Sequence, residues 1–177
     1  MTSLIALLRK INHWVALTVG FILLACVAFT LVEIVVRRVG LSLGGVDEIS
    51  GYVMAIVTSW GVSYALTEMA HVRIDLLRNR LIPLFRSVFD MIAILSLAAT
   101  GLVVAWRGWG VVSKTLSTGA RANTPLETPL WIPQIFWWAG WTWFAVTACI
   151  LVLSTLYFIV RGDHDRLDNT VGARAEV

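Results

Sequence analysis

The sequence predicts an all-α integral membrane protein: four transmembrane helices, plus a short interfacial amphipathic helix between the second and third. Two observations predict it. Of the 177 residues, 58% are hydrophobic and only 14% charged, with a mean hydropathy of +0.80; a soluble domain carries roughly 25% charged residues. The charges also bracket four apolar runs, each near the roughly 20 residues that a helix needs to cross a hydrocarbon core of about 30 Å. Those runs and their short loops occupy residues 1–162 as a single membrane domain, leaving residues 163–177 as a charged tail.

The first span is expected over 15–36, entered through Arg9, Lys10 and Trp14 and left through Arg37 and Arg38. A basic stretch before an apolar run is also how a signal peptide begins, and Leu23-Leu24-Ala25-Cys26 has the look of a lipoprotein cleavage box. The chain stays apolar through Val36, where a mature lipoprotein would turn polar, so an uncleaved span is expected. The second span, over 47–67, opens on Asp47 and Glu48. Two carboxylates in a first turn suit the positive end of the helix dipole. Gly51, Ser59, Gly61 and Ser63 are small enough to let neighbouring helices approach closely.

Residues 68–82 have a different pattern. Glu68, His71, Asp75, Arg78 and Asn79 share one helical face, with Met69, Val72 and Leu76 on another; this predicts a helix lying in the interface. Pro83 is placed to open the next helix. The third span, over 84–113, holds an uncharged centre from Met91 to Trp106 between Asp90 and Arg107. It is too long to cross upright and must tilt or project. A polar loop containing Pro125 and Pro129 leads to the fourth span, over 131–160. The entry of that span carries Trp131, Trp137, Trp138, Trp141 and Trp143, an aromatic belt for one interface.

Lysine and arginine placement sets the expected orientation. With the N-terminus inside, the inner segments hold Arg9, Lys10, Arg73, Arg78, Arg80, Arg86, Arg161, Arg166 and Arg174. The outer ones hold Arg37, Arg38, Arg107, Lys114 and Arg121. Basic residues concentrate on the cytoplasmic side, so both termini are expected in the cytoplasm. The net charge of +3 is anchoring charge; no basic face with interleaved aromatics points to nucleic acid.

Ionisable residues near a membrane are candidates for function. Glu33 is the most exposed to that reading, since a lone carboxylate in the first of four helices is how a small proton-coupled exporter works. Against it, Glu33 stands one turn before Arg37 at the end of its span, an i,i+4 pair. Asp90 has Arg86 one turn earlier. Asp47 and Glu48 either start their helix or meet Arg37 and Arg38 across the loop, and His71 and Asp75 form either a relay or a solvated pair.

Enzyme chemistry finds little support. No span interior holds a histidine for haem ligation, and neither a metalloprotease motif nor a phosphate-binding glycine loop is present. Cys26 and Cys149 lie in apolar runs without metal or disulfide spacing. The prolines fall at span entrances or in loops, so the broken helices of an ion-coupled transport site are not visible. No catalytic residue, cofactor or metal is expected, and an accessory role follows.

Three stretches carry a family resemblance. The first is Arg37-Arg38, a short glycine-containing loop and Asp47-Glu48 opening the second span. The second runs from Gly61 to His71-Val72-Arg73-Ile74-Asp75. The third is Thr124-Pro125-Leu126-Glu127-Thr128-Pro129-Leu130-Trp131-Ile132-Pro133. In order and spacing the chain resembles the small membrane subunit, the DctQ type, of tripartite ATP-independent periplasmic transporters. It departs at Arg38, where the family more often has an aromatic residue.

The resemblance implies a bacterial inner-membrane subunit of a carrier for organic anions such as carboxylates. Its partners would be a periplasmic binding protein and a large transmembrane subunit, with sodium coupling in the latter, besides membrane lipids. The outer loops, Val39 to Val46 and Lys114 to Trp131, are then expected to face the binding protein, with Glu48, Arg121 and Glu127 as candidate interface residues. Two other classes stay open on the residues alone: the autonomous exporter using Glu33, and a membrane anchor for a redox enzyme.

Overall fold

The computed structural model describes residues 2–41, 44–68 and 83–161. Among the described residues there are four helices: α1 (Thr2–Arg38), α2 (Val46–Thr67), α3 (Pro83–Thr118) and α4 (Trp131–Arg161). All four are long and apolar enough to cross a membrane. Helix α1 packs along α2, α2 along α4, and α4 along α3. Residues 39–41, 44–45 and 119–130 therefore lie together at one end of the molecule, the loop end.

The helices outrun the apolar spans. With a rise of about 1.5 Å per residue, the 22 residues of α2 roughly match a hydrocarbon core of about 30 Å, but the 37 of α1 and 36 of α3 exceed it by more than half. Helix α1 continues back to Thr2 because its first turns have a partner: Ile5 and Leu8 are buried, and Ile5 packs with Phe158 of α4. Helix α3 continues past Ser113 because Val112 and Thr115 remain buried on the same seam. The interfacial helix expected over 68–82 lies outside the described residues, apart from Glu68. The backbone N–H of Glu68 closes α2 by donating to the carbonyls of Leu66 and Tyr64. The tail expected at 163–177 also lies outside them.

Buried positions follow a seven-residue repeat. On α1 Ile5, Asn12, Val19, Cys26 and Glu33 follow it, with Leu8 also buried. On α3 Ile94, Gly101, Gly108 and Thr115 follow it, with Asp90, Ala98 and Val112 also buried. Such spacing keeps one seam facing a neighbour when helices cross at a shallow left-handed angle.

Helix α4 has two such seams. Phe144, Ala148, Leu151, Thr155 and Phe158 form one, and Gly140, Thr147 and Ser154 the other. It is the most buried of the four, and the main apolar cluster (Leu66, Ile94, Ala98, Phe144, Ala148 and Leu151) gathers around it from α2 and α3.

Small residues set how closely α4 is approached. A β-carbon on Gly140 would come within 2.9 Å of the carbonyl carbon of Ser59. One on Gly101 would come within 2.8 Å of the Phe144 ring and 3.3 Å of the Ala145 Cα. In lipid there is no hydrophobic drive between helices, so this close packing is itself the source of association.

Candidate functional site

Some of the polar groups of the spans join one helix to another. Three tryptophans do this through the indole N–H. Trp60 of α2 donates to the Phe136 carbonyl of α4 at 3.0 Å. Trp138 of α4 donates to the Ala105 carbonyl of α3 at 2.8 Å, and Trp143 of α4 donates to Asn12 Oδ1 of α1 at 2.7 Å. Each indole places a large apolar surface in a helix contact and satisfies its one donor there. Helix α4 is thus bonded to each of the other three.

The Trp143 bond belongs to a larger node. Asn12 is fully buried, and its amide nitrogen donates to the Ser63 carbonyl at 3.2 Å and to Thr67 Oγ1 at 3.4 Å. One side chain on α1 thereby ties α2 and α4 together. The tryptophans expected to form an aromatic belt also make ring contacts within the protein: Trp138 packs at a tilt on Trp109 at 4.9 Å between centroids, and Trp141 meets Phe144 edge-on at 5.7 Å. Trp131, on the first turn, is exposed.

At the loop end, residues 119–131 fold back on themselves. The N–H of Ala122 donates to the Thr128 carbonyl at 2.9 Å, and that of Leu130 to Ala120 at 3.1 Å. The Thr124-Pro125-Leu126-Glu127 turn at the tip closes with a 3.0 Å bond from the Glu127 N–H to the Thr124 carbonyl. Its strain falls on Glu127, whose φ is +46°. This hairpin reaches the start of α2: Glu48 accepts hydrogen bonds from Thr124 and, at 2.8 Å, from Tyr52. Leu126 lies against Gly45, whose φ of +71° and missing side chain both suit the position.

The ionisable candidates divide into three groups. Glu33 is buried and pairs with the exposed Arg37 at 3.0 Å, near the loop end of α1 and away from its middle. Glu48 joins the start of α2 to the hairpin through Thr124 and takes its second donor, Tyr52, from its own helix; neither is an arginine. Arg38, Asp47, Arg121 and Glu127 are exposed at the same end. Asp90 is buried on α3; the side chain of Arg86, and all of His71 and Asp75, lie outside the described residues. Among the described residues, no group of three His, Cys, Asp or Glu side chains is placed to hold a metal ion.

Reading the sequence did not single out Asn12, Trp60, Trp138 or Trp143 as helix ties. The signal was present for Asn12: it stands exactly seven residues from Ile5 and from Val19 on the buried seam. The indoles gave none, because their acceptors are backbone carbonyls or a residue on a distant helix.

The family model for the DctQ component of tripartite ATP-independent periplasmic transporters matches residues 26–162. The chain belongs to that family. It is a small transmembrane subunit of such a transporter, and the DctQ match takes in the last part of α1, from residue 26, and all of α2, α3 and α4. Asn12 precedes the matched region. No curated protein and no solved structure matches the chain.

Proposed function

We propose that this DctQ chain braces a large transport subunit in a bacterial inner membrane, with both termini in the cytoplasm and the loop end in the periplasm. The large subunit carries the substrate, an organic anion such as a carboxylate, together with sodium; a periplasmic binding protein delivers it. The chain itself performs no catalysis and needs no cofactor.

The observation that carries the bracing reading is the indole bonding of α4 to each of its three neighbours. A helix that slides or rocks must exchange its contacts, whereas these bonds fix α4 to α1, α2 and α3 at defined registers. The faces left over are strongly apolar, with Phe21, Trp106 and Val160 each more than two-thirds exposed. An apolar groove of about 480 Å³ runs along α1, floored by Ile56 and Trp60. Such surfaces suit burial against lipid and another membrane subunit.

The loop end supports a docking role for the binding protein. Glu48 and Thr124 hold the hairpin to α2, so Arg121 and Glu127 are presented on a fixed platform. The test is uptake of a labelled carboxylate into proteoliposomes holding the reconstituted complex. Omitting this chain should abolish uptake, and Arg121→Ala should slow it while leaving the membrane complex intact. Undiminished uptake without the chain would refute the bracing role; normal uptake by R121A at limiting binding protein would refute docking through Arg121.

A further inference from the structure

Helices α1, α2 and α4 leave an apolar groove of about 480 Å³ between them, walled on α1 by residues from Ile11 to Ile22 and closed by Ile56, Trp60 and Phe136. Two of its three side-chain donors are turned away from it. The Thr18 hydroxyl donates to the Trp14 carbonyl at 2.9 Å, and the Trp60 indole N–H donates to the Phe136 carbonyl at 3.0 Å. The second bond also ties α2 to α4 beneath the groove, so its floor is already built. The remaining donor is the indole N–H of Trp14.

From Ile11 to Ile22 the wall rises about 16 Å along the helix. A hydrocarbon core of about 30 Å has leaflets about 15 Å deep, so the groove has the length of one leaflet. A neighbouring helix, about 10 Å across with its side chains, would stand mostly outside a groove of this volume. Hydrocarbon chains, whose carbons pack at about 4 Å, enter it.

The two ends differ. At one, Trp14 is 61% exposed and Lys10, one turn earlier, is exposed too. Neither the Lys10 ammonium nor the Trp14 indole N–H is bonded to another described residue. Tryptophan settles at the headgroup level of a membrane, and a lysine there attracts anionic lipid. At the other end, Ile22 stands among Phe21, Leu23 and Leu24, all of them exposed and apolar. A ligand that fits both ends is charged at one and hydrocarbon along the rest.

We infer that the groove holds an acyl chain of one phospholipid from the leaflet at the N-terminal end of α1, with the lipid phosphate on Lys10 and the Trp14 indole N–H. The lipid fills the space that the three helices leave open and extends their contact as a side chain would. The inference rests on the groove and its charged end, and not on the bracing role.

The test uses the complex purified from native membranes and a phosphatidylglycerol carrying a photoreactive diazirine midway along one acyl chain. After detergent washing to remove loosely held lipid, labelling should concentrate between Ile11 and Ile22 and at Ile56 and Trp60. Val15→Trp, which fills the groove, should lower that labelling several-fold and leave the other apolar faces unchanged. Lys10→Gln should lower it as well, and Lys10→Arg should retain it. Labelling spread evenly over exposed positions such as Phe21 and Val160 would overturn the inference, as would groove labelling unchanged by Lys10→Gln. A photo-crosslinker at Val15 that captures the large subunit in place of lipid would overturn it too, while leaving the bracing role standing.

Discussion

The indole N–H of Trp143 donates to Asn12 Oδ1 at 2.7 Å, joining residues 131 positions apart in the sequence. Asn12 passes the connection on to Ser63 and Thr67, so a single amide links three helices. Its fully buried position makes each of these bonds difficult to replace by water.

Asn12→Ala removes three bonds and leaves the Trp143 donor and the Ser63 and Thr67 acceptors without that partner. We expect a loss of about 1–3 kcal/mol, and a thermal midpoint lower by several degrees in detergent. Trp143→Phe should cost less on the Asn12 side, since only one bond goes. The double variant should be little worse than Asn12→Ala alone for the hydrogen-bonded part. Fully additive losses would show that the two residues stabilise independently.

Gly140→Ala places a methyl group against Ser59, 2.9 Å from its carbonyl carbon. A rotated hydroxyl would relieve part of the conflict; the backbone contact remains. The expected cost is about 1–3 kcal/mol, and Ser59→Ala should recover only part of it. Gly140→Leu should prevent α2 from seating on α4 and abolish the folded peak in size-exclusion chromatography. A monodisperse, fully stable G140L variant would contradict the assigned α2–α4 contact.

Gly45→Ala carries two faults, a positive φ of +71° and a clash with Leu126. Leu126→Ala removes the clash and leaves the backbone strain, which costs about 1–2 kcal/mol. The pair should therefore be more stable than G45A alone and less stable than L126A alone. Midpoints measured for the three variants check this ordering.

Glu33→Gln tests whether the carboxylate carries protons or joins a structural pair. Its partner Arg37 is mostly exposed while Glu33 itself is buried, so loss of the pair is expected to register in stability and not in transport. Uptake by the complex should persist at near wild-type rate, and the chain alone should confer no drug resistance. Resistance that depends on Glu33 would point to a proton-coupled exporter.

The fold class was legible because hydropathy and charge placement report on lipid directly. The Arg37 and Glu33 pair was legible too, since i,i+4 spacing is a local property of one helix. Glu48 was harder. Its spacing offered the arginines across the loop, whereas its acceptor atoms are taken by Tyr52 one turn on and by Thr124, 76 positions away. The inner ties were hidden for another reason. Asn12 and Glu33 occupy the same seven-residue seam as Ile5, Val19 and Cys26, so a search for apolar periodicity breaks at the residues that matter most there. The tryptophans of α4 fit an interfacial belt by composition; only the packed neighbours show that Trp138 and Trp143 point their donors into the bundle.

The central claim is that this chain is a brace within a larger membrane complex. The most direct measurement is purification from native membranes through a tag on the C-terminal tail. The account predicts recovery of a large, very hydrophobic subunit in about equal amount. Recovery of this chain alone, as a stable homo-oligomer, would contradict it.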